Sequence, residues 1–294
     1  MNIISKSVAL TSLCLFLLAS CKKNNDPKTE TLTLNITGLE DLGANARYEG
    51  WIMVNGAPVS TGRFSVNATG QLSQTTFDIN KDQLKNATAF VLTIEPFPDA
   101  NPAPSDQKLL AGDFSGNTAI TTIGHPAALN TTFATATGKY VLATPTTASL
   151  ADELSGVWFL SLMTGSPTVG LSLPALPTGW RYEGWALIAG KPVTTGTFTS
   201  VTGTDAAAPY SGTLGAPPFP GEDFIMNAPA GTTFPTNLSG GLAVISVEPF
   251  PDNSPAPFLL KPLAANIPNP AMDHVTYNMT LNAASFPTGT VTRN

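Results

Sequence analysis

The chain has 294 residues, of which 42% are hydrophobic and 12% are charged, with 25 glycines and 26 prolines. The usual charged share of globular domains is about 25%, so this composition excludes disorder of the highly charged type. Two histidines and two cysteines are too few for a zinc ribbon, a disulfide framework or a haem motif. A net charge of −6 argues against a general nucleic-acid binder.

The first twenty residues predict a signal peptide. Lys6 precedes an apolar run, residues 8–18, which is too short to span a bilayer but suits a secretory signal. The run leads into Leu-Ala-Ser-Cys at 18–21, which resembles the lipobox of bacterial lipoproteins. The resemblance implies cleavage after Ser20 and lipidation of Cys21. The alternative is an ordinary secretory signal with a coincidental cysteine.

Lipidation of Cys21 would leave the mature protein without a free thiol and would attach it to a membrane. Cys14 would leave with the signal and Cys21 would be blocked, so we expect no thiol catalysis and no disulfide. Residues 21–30 are polar and predict a flexible tether to the membrane. The Lys22-Lys23 pair lacks a following acidic run, which by resemblance to related lipoproteins favours the periplasmic side of the outer membrane.

The chain then repeats itself. Residues 47–64 and 181–198 share 11 of 18 positions, and the Glu-Pro-Phe-Pro-Asp block within residues 93–99 recurs within residues 246–252. A repeat distance of this size matches a duplicated domain rather than a solenoid. We therefore predict a first domain over residues 31–145, a linker over 146–155 and a second domain over 156–294.

Alternating apolar residues predict mostly strands. In chain order these cover residues 31–36, 47–64 as a hairpin, 90–94, 139–142, 157–162 and 242–247. The hairpin turns on Asn55-Gly56, a pair that tolerates positive φ, and Ala189-Gly190 takes its place in the second copy. Helical signals are confined to one or two turns within residues 79–89. The pattern predicts an all-β protein with two tandem immunoglobulin-like β-sandwich domains.

The order of the repeated motifs resembles the extracytoplasmic domain of anti-sigma-K factors. The shared elements are Tyr-Glu-Gly-Trp, then Gly-x-Pro-Val-x-Thr-Gly-x-Phe, then Glu-Pro, then Pro-Ala-Pro. They match here at Tyr48, Glu49, Trp51, Gly56, Pro58, Gly62, Phe64, Glu95, Pro96 and Pro104, and again at Tyr182, Glu183, Trp185, Gly190, Pro192, Gly196, Phe198, Glu248, Pro249 and Pro257. The resemblance implies a binding or sensing module without catalytic residues. Because the sequence shows neither a sigma-binding domain nor a membrane-spanning helix, we expect no direct contact with a sigma factor.

The repeated aromatic motif is the first candidate site. Its residues would form a paired platform for a sugar or peptide: Tyr48, Glu49, Trp51, Tyr182, Glu183 and Trp185. The alternative, which we favour, is a core tryptophan beside a glycine that lets a neighbouring strand approach.

The repeated glutamates are the second candidate. Glu95 and Glu248 are possible calcium ligands together with Asp99 or Asp252, but these loops offer few other acidic groups. We favour the alternative that each carboxylate accepts backbone N–H bonds or pairs with an arginine of its own repeat, Arg47 or Arg181. Accordingly we expect no metal and no cofactor.

The third candidate lies in residues 202–236, which contain the extra residues of the second copy. A ligand site peculiar to this copy would use Phe219, Glu222, Asp223 and Phe224. The alternative is a surface excursion pinned by the two phenylalanines.

These observations favour a non-enzymatic, lipid-anchored envelope protein that binds or senses an envelope protein or glycan. Two alternatives remain open. One is an envelope hydrolase with carboxylates from the loop at 221–223, and the other is a purely structural spacer. The histidines His125 and His274 fall one in each repeat without a nucleophile motif, which argues against serine or zinc hydrolysis.

Overall fold

A computed structural model describes residues 28–251 and 254–294 of the chain. The predicted signal peptide, Cys21, most of the predicted tether and the candidate calcium ligand Asp252 lie outside these residues. The regular secondary structure of the described part is almost entirely β-strand, which confirms the predicted all-β class. None of its helices combines the length and apolar character needed to cross a membrane.

The strands are antiparallel and mostly short. In chain order they are Thr29–Thr37 (β1), Ala46–Val54 (β2), Ala57–Phe64 (β3), Thr76–Asn80 (β4), Ala87–Pro96 (β5), Lys108–Ser115 (β6), Thr118–Thr122 (β7), Thr137–Leu142 (β8), Gly156–Trp158 (β9), Leu160–Ser161 (β10), Thr168–Val169 (β11), Leu171–Ser172 (β12), Trp180–Ile188 (β13), Lys191–Phe198 (β14), Gly221–Asp223 (β15), Leu242–Pro249 (β16), Leu263–Asn266 (β17), Tyr277–Leu281 (β18) and Thr288–Arg293 (β19). The helix Lys81–Lys85 (α1) falls within the predicted helical stretch, and Asn80 caps it by accepting from two backbone N–H groups. Short 3-10 turns cover Glu153–Ser155 and Ala283–Ser285.

Two large sheets share one strand order. The first runs β3-β2-β5-β6-β7-β19-β1-β4, and the second runs β14-β13-β16-β17-β18-β8-β9-β15, with β12 added beside β8. Each sheet therefore starts with the repeated hairpin and continues through the strand that carries the Glu-Pro motif. The duplication seen in the sequence is a duplication of topology.

One strand position is exchanged between the two sheets. Strand β8, from the end of the first repeat, lies between β18 and β9 in the second sheet, whereas β19, from the end of the chain, lies between β7 and β1 in the first. Both strands begin with Thr-Gly, and a Cβ on Gly289 would lie 2.4 Å from the Asn35 carbonyl oxygen. The boundaries predicted at residues 145 and 156 therefore do not separate the two sheets, because each repeat supplies a strand to the other.

The core is continuous through both sheets. Alternation in β1 places Leu32, Leu34 and Ile36 in the interior, as the sequence pattern predicts. Phe133, on the connection before β8, lies with its ring centroid 6.5 Å from that of Tyr182 and 5.6 Å from that of Phe286. Apolar packing thus joins residues of the two repeats in one interior.

Candidate functional site

The tryptophans of the repeated motif are interior residues. Trp51 and Trp185 are each 3% exposed. The indole N–H of Trp51 donates to the Thr93 hydroxyl over 2.9 Å, and that of Trp185 donates to the Ser246 hydroxyl over 2.7 Å. Burial with a satisfied N–H is the arrangement of a structural tryptophan.

Each of these two hydroxyl groups in turn donates a hydrogen bond to a buried glutamate. Thr93 donates to Glu95, and Ser246 donates to Glu248. The same carboxylate oxygens accept backbone N–H groups over 2.9 Å, from Ser105 on Glu95 and from Phe258 on Glu248. The two repeats therefore build the same Trp–hydroxyl–carboxylate–backbone chain, which holds the proline-rich loop on the end of the strand.

Glu95 and Glu248 accept hydrogen bonds from backbone N–H groups, as the favoured alternative predicts. The arginines contact other groups. Arg47 lies 4.4 Å above the Phe97 ring centroid, and Arg181 lies 3.6 Å above that of Phe250. Among the described residues no group of three or more His, Cys, Asp or Glu is arranged to hold a metal ion.

The tyrosines and glutamates of the motif are also buried. The hydroxyl of Tyr48 donates to the Glu40 carbonyl over 3.1 Å, and that of Tyr182 donates to the Pro174 carbonyl over 2.7 Å. Burial raises the pKa of both phenols well above its usual range. Each ring stacks on the phenylalanine that ends its hairpin, with centroids 5.6 Å apart.

Glu49 and Glu183 face the strand that follows them in the hairpin. Glu49 accepts from Arg63 Nε over 2.5 Å and from the Ser60 hydroxyl, and Glu183 accepts from the Thr194 hydroxyl. With Tyr48, Trp51, Tyr182 and Trp185 also in the interior, none of the six motif side chains contributes to an exposed platform. The platform hypothesis is corrected on this point, because packing and internal hydrogen bonds use these groups.

The candidate residues of the second copy are buried as well. Glu222 and Asp223 are fully buried on β15, and Phe219 and Phe224 are 8% and 0% exposed. Asp223 accepts from the Trp158 indole N–H over 2.7 Å and from the backbone N–H of Thr146 over 2.8 Å. The predicted linker is thus anchored at its first residue.

These contacts correct the interpretation of a ligand site in this loop. Glu222 accepts from the Ser211 hydroxyl, while its Oε2 atom has no hydrogen-bond partner in the described part of the chain. Both carboxyl groups are removed from solvent, whereas paired-carboxylate hydrolysis uses groups that face a cleft. The arrangement anchors the long segment to the core.

A third carboxyl group, which the sequence analysis did not identify, accompanies them. Asp205 accepts from the Gly221 N–H over 3.0 Å. Burial raises the pKa of Asp205 to about 8 and that of Glu222 to about 7, and it also raises the pKa of Asp223. The segment around Asp205 is rich in glycine and alanine and has the composition of an exposed loop. Only the close approach of the Asp205 carboxyl group to Gly196 of β14 and Gly221 of β15 shows that it is partly buried.

A cleft lies between the two repeats. It has a volume of about 610 Å³ and is lined by parts of three segments, residues 40–46, 94–107 and 248–258. Two of these segments carry the repeated Glu-Pro motif. The repeats touch beside it, since Gln107 donates to the Phe250 carbonyl and Gly179 packs on the Asp106 backbone.

The cleft has an apolar body and acidic groups. Proline, leucine, isoleucine and phenylalanine side chains supply the body, and the acidic lining residues are Glu40, Asp41, Glu95, Asp99 and Glu248. Neither lysine nor arginine is among the described residues that line it. Asp99 is fixed by Arg63 Nη2 over 2.7 Å and by the Asn101 N–H over 2.8 Å.

We found no protein family, no curated protein and no solved structure that matches this chain. The cleft is not among the sites predicted from the sequence, although the recurrence of the Glu-Pro-Phe-Pro-Asp block marked two of the segments that line it.

Proposed function

We propose that this chain is a non-enzymatic, lipid-anchored protein of the bacterial envelope that binds a ligand in the cleft between its repeats. The observation that supports binding is the cleft itself. Its volume of about 610 Å³ falls within the range of about 300–1,000 Å³ that is typical of small-molecule sites. Polar groups in an otherwise apolar wall are the usual means of orienting such a ligand.

Binding accounts for the cleft better than the two alternatives do. A hydrolase would need solvent access to its carboxylates, whereas Glu222 and Asp223 are fully buried. A spacer gives no reason for equivalent loops of two repeats to enclose a cavity. The resemblance to anti-sigma-K extracytoplasmic domains supports a sensing role without direct contact with a sigma factor, and the net charge of −6 disfavours nucleic acid.

The envelope part of the proposal rests on the lipobox-like segment that ends at Cys21. Several acyl chains on one residue anchor a protein stably, as a single chain does not. We propose that the anchor lies in the outer membrane, facing the periplasm. Metabolic labelling with palmitate tests the anchor: the wild-type chain takes up label and fractionates with membranes, and Cys21→Ser does neither. Equal labelling of both chains would contradict it.

The binding part is tested with two tryptophan substitutions in one loop. Ala103 lines the cleft, so Ala103→Trp fills it, whereas the exposed Ala100 lies outside the lining and Ala100→Trp is the matched control. Each protein is incubated with a small-molecule extract of bacterial envelopes, separated from free compounds and examined by native mass spectrometry. We expect a compound retained by the wild type and by Ala100→Trp but lost from Ala103→Trp. Retention by all three, or by none, would contradict binding in the cleft.

A further inference from the structure

The strand order of the second sheet ends in two edge strands, β14 and β15, which lie beside each other across a seam. Residues 202–209, which we call the strap, cross this seam without forming a helix or a strand. The backbone N–H of Ala206 donates to the Thr197 carbonyl of β14 over 2.7 Å, and the Asp205 carboxyl group accepts from the Gly221 N–H of β15 over 3.0 Å. The strap therefore connects the two edges, and Asp205 is its contact with β15.

The strap is fixed at its ends and held by polar contacts between them. The side chains of residues 206–209 are exposed, and Asp205 is half-buried. Before the strap Val201 packs against the core, and after it the Tyr210 ring centroid lies 5.4 Å from that of Phe234. Because little apolar surface is buried between these two anchors, the strap can open without unfolding of the sheet.

Two carboxyl groups at the seam are removed from water. Glu222 is fully buried, and its Oε2 atom has no hydrogen-bond partner in the described part of the chain, while its other oxygen accepts from the Ser211 hydroxyl. The ion pairs found among residues 28–251 and 254–294 include neither Asp205 nor Glu222. Asp223 differs from them, because it accepts from three donors. Ionisation of Asp205 or Glu222 therefore creates a charge where burial disfavours it.

The basic residues of the surrounding strands are engaged with other groups. Strands β9 and β15 carry no basic residue. Those of β8, β13 and β14 have partners of their own: Lys139 donates to the Met163 sulfur, Arg181 lies over the Phe250 ring, and Lys191 donates to the Ala230 carbonyl.

The other titratable groups near the two carboxyl groups bring no positive charge. They are Asp223 on β15, Glu153 next to Asp223, Tyr210 beside Glu222, and Glu183 on β13. Asp205 and Glu222 also oppose each other, since the charge of Glu222 raises the pKa of Asp205. The environment of the seam thus favours the protonated form of both groups.

The direction of the pH effect follows from this environment. With the strap closed, the pKa of Asp205 is about 8 and that of Glu222 is about 7. In water both groups return to ordinary values of about 4. Because the closed state binds these protons more tightly than the open state does, a rise in pH favours opening. Between the ordinary and the raised pKa, each released proton shifts the opening equilibrium about tenfold per pH unit.

We propose that the strap is a pH-dependent cover of the seam, closed while Asp205 and Glu222 carry protons and open when they ionise. Opening uncovers the edges of β14 and β15, whose backbone groups are then free to pair with another strand. In the first repeat the ring of Phe77, which does not titrate, lies in the equivalent place under Gly62. This inference does not depend on ligand binding in the cleft.

Hydrogen exchange of the mature chain, followed by mass spectrometry between pH 6 and pH 8, tests the cover. Each exchange rate is divided by the intrinsic rate at the same pH, so that the remaining change reports opening. We expect the protection of a peptide over residues 203–209 to fall at least about tenfold across this range. A peptide over residues 76–80, which form β4 of the first repeat, should keep its protection.

Three variants connect the opening to the two carboxyl groups. Asp205→Asn keeps an acceptor for the Gly221 N–H but cannot ionise, so its protection should change much less with pH than that of the wild type. Glu222→Gln resembles the protonated acid and should remove a smaller part of the pH dependence. Asp113→Asn, at an exposed carboxylate of the first repeat, is the charge-matched control and should behave as the wild type does.

Three results would overturn the inference. The first is protection of residues 203–209 that does not change with pH in the wild type. The second is an equal loss of protection in β4, which would mean that the whole fold loosens. The third is a pH profile of Asp205→Asn that matches the wild type. If a variant fails to fold, the wild-type series still decides, because the first two results need no substitution.

Discussion

The two repeats differ most clearly beneath the last glycine of their hairpins, Gly62 in the first and Gly196 in the second. In the first repeat the ring of Phe77 lies there, so that a Cβ on Gly62 would be 2.9 Å from a ring carbon. In the second repeat the carboxyl group of Asp205 lies under Gly196, where a Cβ would be 2.8 Å from its Cγ. Both glycines have positive φ, 125° and 122°, which explains why the residue is repeated.

A second difference concerns the ring that covers the glycine of the Tyr-Glu-Gly-Trp motif. Phe90 of β5 covers Gly50, whereas Phe159, which follows β9, covers Gly184. The position equivalent to Phe90 in the second repeat is Ala243. The repeats thus preserve the shape of the interior but supply the ring from different segments of the chain. Residues that are identical in the two repeats maintain the shared scaffold, and residues that differ show what each copy adds.

The largest expected effect comes from breaking the strand exchange that connects the two sheets. Val291 is fully buried on β19. Val291→Asp should cost about 3–5 kcal/mol, because it leaves an unpaired charge in the core. Since β19 follows the second repeat but lies in the first sheet, we expect one shared unfolding transition, seen by circular dichroism and by tryptophan fluorescence in urea.

The control for this substitution is on the neighbouring strand. Ile120 on β7 is 69% exposed, so Ile120→Asp should change the unfolding midpoint little. Two separate transitions, with only one of them shifted by Val291→Asp, would show that the repeats fold independently despite the exchange.

The next effect tests whether the hydrogen-bonded chains of the two repeats are equivalent. Thr93→Val and Ser246→Ala each remove the acceptor of a buried indole N–H and a donor to a buried glutamate. Each should cost about 2 kcal/mol of unfolding free energy, measured in urea. Thr88→Val, at an exposed position of the same strand as Thr93, is the control. Unequal costs for the two chains would break the comparison.

A smaller effect should follow from a residue present in only one repeat. Arg63 pairs with Glu49 and Asp99, and the position equivalent to it is Thr197. Arg63→Thr should cost about 1–2 kcal/mol, since the carboxylate partners are buried although the arginine is 34% exposed. Arg63→Lys keeps the charge without the planar fork and should lose less. Unchanged stability in Arg63→Thr would show that this ion pair contributes nothing.

Much of the architecture is predictable because it is local. The alternation of Leu32, Leu34 and Ile36 and the turn at Asn55-Gly56 predict their elements directly, since side-chain period and positive φ act within a few residues. The exchange of β8 and β19 is not predictable in this way. A repeat distance identifies equivalent segments, but it does not say in which sheet a strand finds its partner.

The candidate site is harder to predict for the same reason. The cleft needs the loops at 94–107 and 248–258 to meet, and this depends on how the two sheets pack. The burial of Glu222 and the partial burial of Asp205 are equally hard to predict, because both residues lie in a segment with the composition of a surface loop. The repeated Glu-Pro block was the signal that pointed to these loops, and its structural reading as a backbone acceptor is the one that the geometry shows.

The smallest effect sharpens the contrast between Phe77 and Asp205. The pKa of Asp205, about 8 in the folded chain, lies far above the ordinary aspartate value, so the folded state holds a proton that the unfolded state has released near neutral pH. Stability should therefore fall as pH rises toward this pKa and level off above it, with a loss of about 1 kcal/mol between about pH 7 and pH 9. Glu222 and Asp223, whose pKa values are also raised, act in the same direction.

Asp205→Asn isolates the contribution of this carboxyl group. The amide oxygen still accepts from the Gly221 N–H but does not titrate, so the variant should gain stability relative to the wild type as pH rises. Thermal unfolding at several pH values measures the difference, with Asp113→Asn as the exposed control. Parallel profiles for wild type and Asp205→Asn would mean that the carboxyl group is solvated. A flatter profile for Asp205→Asn than for the wild type would mean that a protonated carboxyl group packs under the hairpin of the second repeat, where the first repeat has the ring of Phe77.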